Sequence, residues 1–270
     1  MLVAAYDYQT AKIVDEACVD IILVGDSGGK LMLGYNDNVS VTFDDMLHFC
    51  RGVARAASQA LVIADMPFMT YYVSKEQALM NAARFIQEAH VDGVMVEGGS
   101  EIKGTVERLV ETGIPVMGHI GVLLQKPSEL LKAPSSEQRF LRAKKLYKDA
   151  KDLEKAGVFT LVLDAVPAEL AAIITRELKI PVLGPGSGVC DGQALILHDL
   201  VGLRKKDPSR SHVKQYANLY EIILDALVKY VDEVRREAFP DEAHTPFHLQ
   251  EDEVEMLQEL IAQAPLQAVK

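Results

Sequence analysis

Apolar residues occur in short runs, and each run ends in polar or acidic residues. Residues 2–5 lead into Tyr6 and Asp7, 21–24 into Gly25-Asp26-Ser27, and 61–64 into Asp65-Met66-Pro67. Residues 93–96 lead into Glu97-Gly98-Gly99, 115–118 into His119-Ile120-Gly121, and 160–163 into Asp164-Ala165-Val166-Pro167. The last two are 180–183, before Gly184-Pro185-Gly186, and 194–197, before His198-Asp199. Near-continuous apolar runs of this length are those of parallel strands buried on both faces. Helical spacing fills most of the gaps. In 75–89 the residues Ala78, Leu79, Ala82, Ala83, Phe85 and Ile86 line one face, and Ser74 with Gln77 resembles a capping box. Residues 102–111, 137–156 and 168–178 carry the same period. Eight strand candidates alternating with helices predict a closed (β/α)₈ TIM barrel, with a doubly wound open sheet as the alternative. The link between the seventh and eighth runs is short for a crossover helix and is the weakest part of that pattern.

A tail follows from about residue 213. Residues 219–236 form an amphipathic helix candidate ended by Phe239-Pro240-Asp241, and 251–264 form another. The expected organisation is one barrel domain over 1–270 with this helical extension. His244 and His248 are separated by Pro246, which favours a surface turn over a metal-binding helix face. With the first run at 2–5, no N-terminal helix is expected ahead of it as a barrel plug.

Length and composition agree with one large folded domain: 270 residues, 49% hydrophobic and 25% charged. The net charge of −11 argues against nucleic acid as the main partner, because phosphate binding needs a basic footprint. The three cysteines, Cys18, Cys50 and Cys190, form no paired motif and suit reduced thiols. No run is long enough to span a membrane and no secretory signal is visible, so a cytoplasmic location is expected.

The chemistry concentrates at the predicted C-terminal strand ends, where barrels build their sites. Asp26, Asp65 and Glu97 end the second, third and fourth strands. A single strand-end carboxylate often caps a loop. Three on neighbouring strands point to a hard divalent cation, Mg²⁺ before Mn²⁺. Ser27 is placed to hold a substrate carboxylate or to serve as a turn residue. His119 is a hydrogen-bond donor, a proton shuttle or a structural histidine. Asp164 is a candidate general base. The stretch Gly184-Pro185-Gly186-Ser187-Gly188 matches neither dinucleotide nor phosphate-loop spacing.

Taken together, these motifs resemble the ketopantoate hydroxymethyltransferase family. The matching pieces are Ala5-Tyr6-Asp7-Tyr8, Val24-Gly25-Asp26-Ser27, Ala64-Asp65-Met66-Pro67-Phe68-Met69 and Val96-Glu97-Gly98-Gly99. Further on are Gly118-His119-Ile120-Gly121, Asp191-Gly192-Gln193, His198-Asp199 and Val213-Lys214-Gln215-Tyr216. The resemblance implies a barrel of the phosphoenolpyruvate-mutase type that uses Mg²⁺ to bind a 2-oxo acid. It implies transfer of a hydroxymethyl group from 5,10-methylenetetrahydrofolate to 3-methyl-2-oxobutanoate, giving 2-dehydropantoate for pantothenate and coenzyme A. Asp26, Asp65 and Glu97 then correspond to the metal site. Ser27, Asp65 and position 95 correspond to substrate contacts, His119 and Asp164 to catalytic positions, and the assembly to a homo-oligomer, a decamer. The chain departs from the family pattern at Met95, where a lysine is usual, and at Asp164, where a glutamate is usual. It also departs after strand five, at Val122-Leu123-Leu124-Gln125 and 131–135. Lys132 and Arg139 are the candidate replacement anion contacts. These departures leave two other readings open: lyase or aldol chemistry on another 2-oxo acid, and a non-catalytic scaffold or binding protein.

Overall fold

All eight apolar runs form strands: β1 (Leu2–Ala4), β2 (Ile21–Val24), β3 (Leu61–Asp65), β4 (Gly93–Glu97), β5 (Val116–Gly121), β6 (Thr160–Asp164), β7 (Val182–Leu183) and β8 (Ala194–Ile196). They pair in parallel in the order β7-β6-β5-β4-β3-β2-β1-β8. The computed structural model describes residues 1–121, 136–204 and 213–263. These fall into two units, Met1–Ala217 and Asn218–Lys270.

The ring closes at the place where the sequence pattern is thinnest. Leu183 bridges Gly192 in parallel, the Gly184 amide donates to Gly192 O at 3.1 Å, and the Gly192 amide donates to Val182 O at 3.2 Å. A Cβ on Gly192 would lie 2.7 Å from Leu183 Cδ2, so a larger residue here would displace the end of that side chain. Asp191 adds a carboxylate acceptor for the Val182 amide at 2.9 Å. No crossover helix is needed because β7 and β8 are only two and three residues long. A segment of about ten residues reaches roughly 33 Å when extended, ample to return along such short strands.

Helices cover the outside of the ring: α1 (Tyr8–Glu16), α2 (Ser27–Met32), α3 (Phe43–Ala56), α4 (Lys75–Ala89), α5 (Lys103–Glu111), α6 (Ser136–Ala156), α7 (Ala168–Glu177) and α8 (Leu197–Leu200). Ser74 caps α4 by accepting from the Gln77 amide. The reciprocal capping box forms at α3, between Thr42 and Asp45. Alternation along the strands sorts residues into two layers. Val62, Ala64, Val94, Val96, Val116, Ile120, Leu161 and Leu163 join the outer core with helix residues such as Phe85 and Leu153. Each strand sends one residue into an inner plug: Leu2, Ile21, Ile63, Met95, Met117, Val162, Leu183 and Ala194. Two positions beyond four of these, on the same inner face, stand Asp65, Glu97, His119 and Asp164. The polar site thus rests on an apolar floor.

At the opposite end, Asp15 of α1 holds the entry to β3. Its carboxylate accepts from the amides of Ser58, Gln59 and Ala60 and from the Ser58 hydroxyl, at 2.8–3.0 Å. Asp15 is only 3% exposed. The Ala60 amide, then those of Gln59 and Ser58, outweigh burial and lower its pKa from 3.8 to about 2. A depressed carboxylate pKa stabilises the fold above the unfolded value, and that contribution disappears as pH falls from about 4 to about 2. It amounts to about 2 kcal/mol at neutral pH. Asp15→Ala is expected to cost about 3 kcal/mol at pH 7, since buried donors lose their acceptor. Chemical denaturation should show that cost shrinking below pH 4.

The second unit contains α9 (Leu219–Arg235), a short 3₁₀ turn at Glu242–His244, and α10 (Glu251–Gln263). Phe239 packs its ring against Tyr230 and His244, with centroids 5.9 and 5.4 Å apart. Asp241 caps the 3₁₀ turn and pairs with His244. His244 and His248 are exposed. Among the described residues, no helix is long and apolar enough to cross a membrane.

Candidate active site

The ends of β2, β3 and β4 bring Asp26, Asp65 and Glu97 together. All three are buried, and one carboxylate oxygen from each lies within 4.8 Å of the others. Asp26 stands at the N-cap of α2 but makes no capping bond. Its Oδ1 instead accepts from Asn38 Nδ2 at 2.5 Å. Asp65 Oδ2 accepts from the Asp26 amide at 3.2 Å, while Oδ1 is buried with no hydrogen-bond partner among the described residues. Burial, then the charges of Asp26 and Glu97, push the Asp65 carboxyl well above the usual carboxylate range. A buried carboxylate oxygen without a donor, among two like charges, is the environment a divalent cation relieves. All-oxygen donors fit a hard cation, so the residues present suit a divalent metal.

Backbone contacts hold Glu97 in place. The Tyr71 hydroxyl donates to Glu97 O at 2.9 Å and accepts from the Glu97 amide at 3.1 Å. The Tyr72 hydroxyl also donates to Glu97 O, at 2.9 Å. Pairing of β4 with β5 sets Glu97 beside His119. His119 Nδ1 lies 3.2 Å from Glu97 Oε1, and Nε2 lies 3.7 Å from Asp164 Oδ2. The longer contact exceeds hydrogen-bond range and acts as a charge interaction. Burial alone would lower the His119 pKa, but the carboxylates of Glu97 and Asp164 outweigh it and hold it well above the usual imidazole range. The His119 ring thus stands between Glu97 of the acidic cluster and Asp164.

Asp164 is the most open of the group, with its side chain 30% exposed. Its backbone is pressed against β5: Gly121 has φ +116°, and a Cβ there would lie 2.1 Å from Asp164 O. On the other side of the site, Ser27 Oγ lies 2.8 Å from the buried Tyr6 hydroxyl. Met95 pairs with Asp65 on β3 and Met117 on β5, and is packed into the apolar floor. Arg139 is exposed on the first turn of α6. Lys132, Val122-Leu123-Leu124-Gln125 and 131–135 lie outside the described residues.

The expected strand-end residues Asp26, Asp65, Glu97, His119 and Asp164 thus share one end of the barrel. Sequence reading did not single out Asn38, Tyr71 or Tyr72. Asn38 sits in a polar loop without periodicity. The tyrosine pair follows Met66-Pro67, and its only signal was two large aromatics in a loop too short for a core of its own.

Comparison with known proteins bears on this arrangement. The family model described as ketopantoate hydroxymethyltransferase matches residues 1–242. A 3-methyl-2-oxobutanoate hydroxymethyltransferase from Dehalococcoides mccartyi is 49% identical over 240 residues, covering 88% of this chain and 86% of its own. The enzyme of the same name from Oleidesulfovibrio alaskensis is 46% identical over 264 residues, covering 97% and 91%. Among solved structures, phosphonopyruvate hydrolase superposes with a TM-score of 0.57 at 11% identity, covering 97% of this chain and 90% of that one. For 2,3-dimethylmalate lyase the values are 0.56 and 14%, covering 98% and 93%. At such identities the structural likeness speaks to the barrel fold alone.

Proposed function

The chain belongs to the ketopantoate hydroxymethyltransferase family, and from that premise we propose that it transfers a one-carbon unit from 5,10-methylenetetrahydrofolate to 3-methyl-2-oxobutanoate. The observation that carries this reading is the buried set Asp26, Asp65 and Glu97, joined through His119 to the more open Asp164. Asp26, Asp65 and Glu97 would hold Mg²⁺, with Mn²⁺ as the substitute that the same oxygen donors accept. A bound divalent cation supplies positive charge against the oxygens of the 2-oxo acid and so acidifies the C3–H bond.

The protein's own groups do the rest. Ser27, fixed by Tyr6, donates its hydroxyl to the substrate carboxylate. Asp164 removes the C3 proton. The imidazolium of His119 stabilises the Asp164 carboxylate before transfer and keeps a donor beside the substrate oxygens. The floor of Ile63, Met95, Met117 and Val162 closes the site to water from below. The methylene carbon bridges two folate nitrogens. The C3 electron pair bonds to it as one C–N bond breaks, and a water oxygen then replaces the second nitrogen to give the new hydroxyl group. The proton taken from C3 and one proton of that water end on the two nitrogens. The products are 2-dehydropantoate and tetrahydrofolate.

Met95 favours keeping a second reading, in which the same residues act on another 2-oxo acid in lyase or aldol chemistry. A methionine offers no ammonium to a substrate carboxylate. The survival of five polar groups at one barrel end argues against a purely scaffolding role. A homo-oligomer, a decamer as in the resemblance, belongs to the same reading. Exposed Ile222, Leu227, Val228 and Tyr230 on α9 support it. The expected result is Mg²⁺-dependent formation of 2-dehydropantoate from the two substrates, stopped by a chelator and restored by Mg²⁺. Turnover with other 2-oxo acids but none with 3-methyl-2-oxobutanoate would favour the second reading.

A further inference from the structure

The loop between β7 and β8 reaches back to the end of β6, where Asp164 lies. Ser187 in that loop is completely buried. Its hydroxyl donates to Leu163 O at 2.7 Å and accepts from the Val166 amide at 2.7 Å. It therefore spans the two residues Asp164 and Ala165. Between these anchors, the Ala165 amide donates to Pro185 O at 3.0 Å. Ala165 has φ +51°, a left-handed conformation that a residue with a Cβ adopts at a cost. Such a backbone persists only where its surroundings impose it, and here three hydrogen bonds from a single loop do so. Across the barrel wall, the close Gly121 contact fixes the other side of the same strand end.

We propose that Ser187 is a positioning residue for the reaction: its hydroxyl holds the turn after β6 so that Asp164 stands opposite His119. This rests on the reading of Asp164 as the group that takes the C3 proton. Ser187 touches no reacting atom. Its influence passes through the backbone of Leu163 and Val166 to one carboxylate. The arrangement matters because Asp164 has a short side chain. It cannot reach past a displaced backbone, and misplacement by about 1 Å can cost about 10²-fold in rate. The three metal-site carboxylates lie on β2, β3 and β4, and no hydrogen bond joins Ser187 to them among the described residues.

The test compares deuterium exchange at C3 of 3-methyl-2-oxobutanoate in four proteins: wild type, Ser187→Ala, Asp164→Asn and the double variant. Ser187→Ala is expected to slow exchange by about ten- to a hundredfold. KM for the oxo acid and Mg²⁺ affinity, read by calorimetry, should stay within about twofold if only the proton-transfer geometry is lost. Ser187→Thr, which keeps the hydroxyl, should recover most of the rate. In the Asp164→Asn background, Ser187→Ala should remove little further exchange, because the two changes act at one point. Equal losses in both backgrounds, or Mg²⁺ affinity falling in step with rate, would show a general packing role and overturn the proposal. A silent Ser187→Ala beside an inactive Asp164→Asn would overturn the Ser187 role alone. Wild-type exchange in Asp164→Asn would instead overturn the assignment of the base, and this proposal with it.

Discussion

Asp65→Asn is expected to lower turnover by at least about 10³-fold while leaving the metal-free fold as stable as the wild type. The two effects share one cause. Asp65 lies at the centre of the acidic set, its Oδ1 buried without a donor and its Oδ2 facing only the Asp26 amide. Burial and two neighbouring carboxylates make its charge costly when no cation is present, so the neutral amide relieves repulsion. With a cation present, that same charge is a principal attraction. Mg²⁺ at about a hundred times its dissociation constant should stabilise the wild type by about 2.7 kcal/mol, and Asp65→Asn should lose most of that gain. Thermal melts with and without Mg²⁺ read both effects. Unchanged Mg²⁺ affinity in Asp65→Asn would remove Asp65 from the metal site.

Asp164→Asn is the second large effect, and its pattern differs. Loss of a general base costs about 10²–10⁴-fold in rate. Asp164 is not among the clustered carboxylates, and its side chain is the most open of the group. Its loss should therefore appear in kcat, with Mg²⁺-induced stabilisation retained. The His119 pKa should also move. With Asp164 neutralised, one of the two carboxylates holding the imidazolium is gone, so the His119 pKa should fall toward the ordinary range. Titration of the His119 ring by NMR would show this shift. A His119 pKa unaffected by Asp164→Asn would mean that Glu97 alone sustains the charge.

Much of this site is legible in the amino-acid order because strands repeat every two residues. Once Ile63, Met95, Met117 and Val162 are placed inside the ring, Asp65, Glu97, His119 and Asp164 must follow on the same face. A one-residue slip in any of these strands would turn its polar group out into the helix layer. The barrel ends were less legible. Residues 180–183 read as one strand, yet β7 is only Val182–Leu183. The Pro181 carbonyl still takes bonds from the Leu161 amide and the Thr160 hydroxyl. Ser27 reads as a substrate contact or a turn residue before Gly28-Gly29, and the structure makes it the first residue of α2 although glycine is a poor helix former.

Asn38, Tyr71 and Ser187 were beyond sequence reasoning for a common reason. Each acts on a residue far away along the chain. Asn38 reaches Asp26, Tyr71 reaches Glu97 through its backbone, and Ser187 reaches Leu163 and Val166. Periodicity describes a strand's or helix's faces and carries no information about where a loop returns. Met95 shows the opposite case. Its inward direction follows from the strand period, but its role as part of an apolar floor depends on the inner residues of the other strands.

The most direct measurement is exchange of the C3 proton of 3-methyl-2-oxobutanoate in deuterated water, followed by NMR, with purified protein and Mg²⁺ and without folate. Exchange is expected to require both protein and Mg²⁺ and to run well above the metal-only control, before any one-carbon donor is added. Exchange no faster than Mg²⁺ alone would contradict the claim that Asp26, Asp65, Glu97 and Asp164 form a working site for this oxo acid.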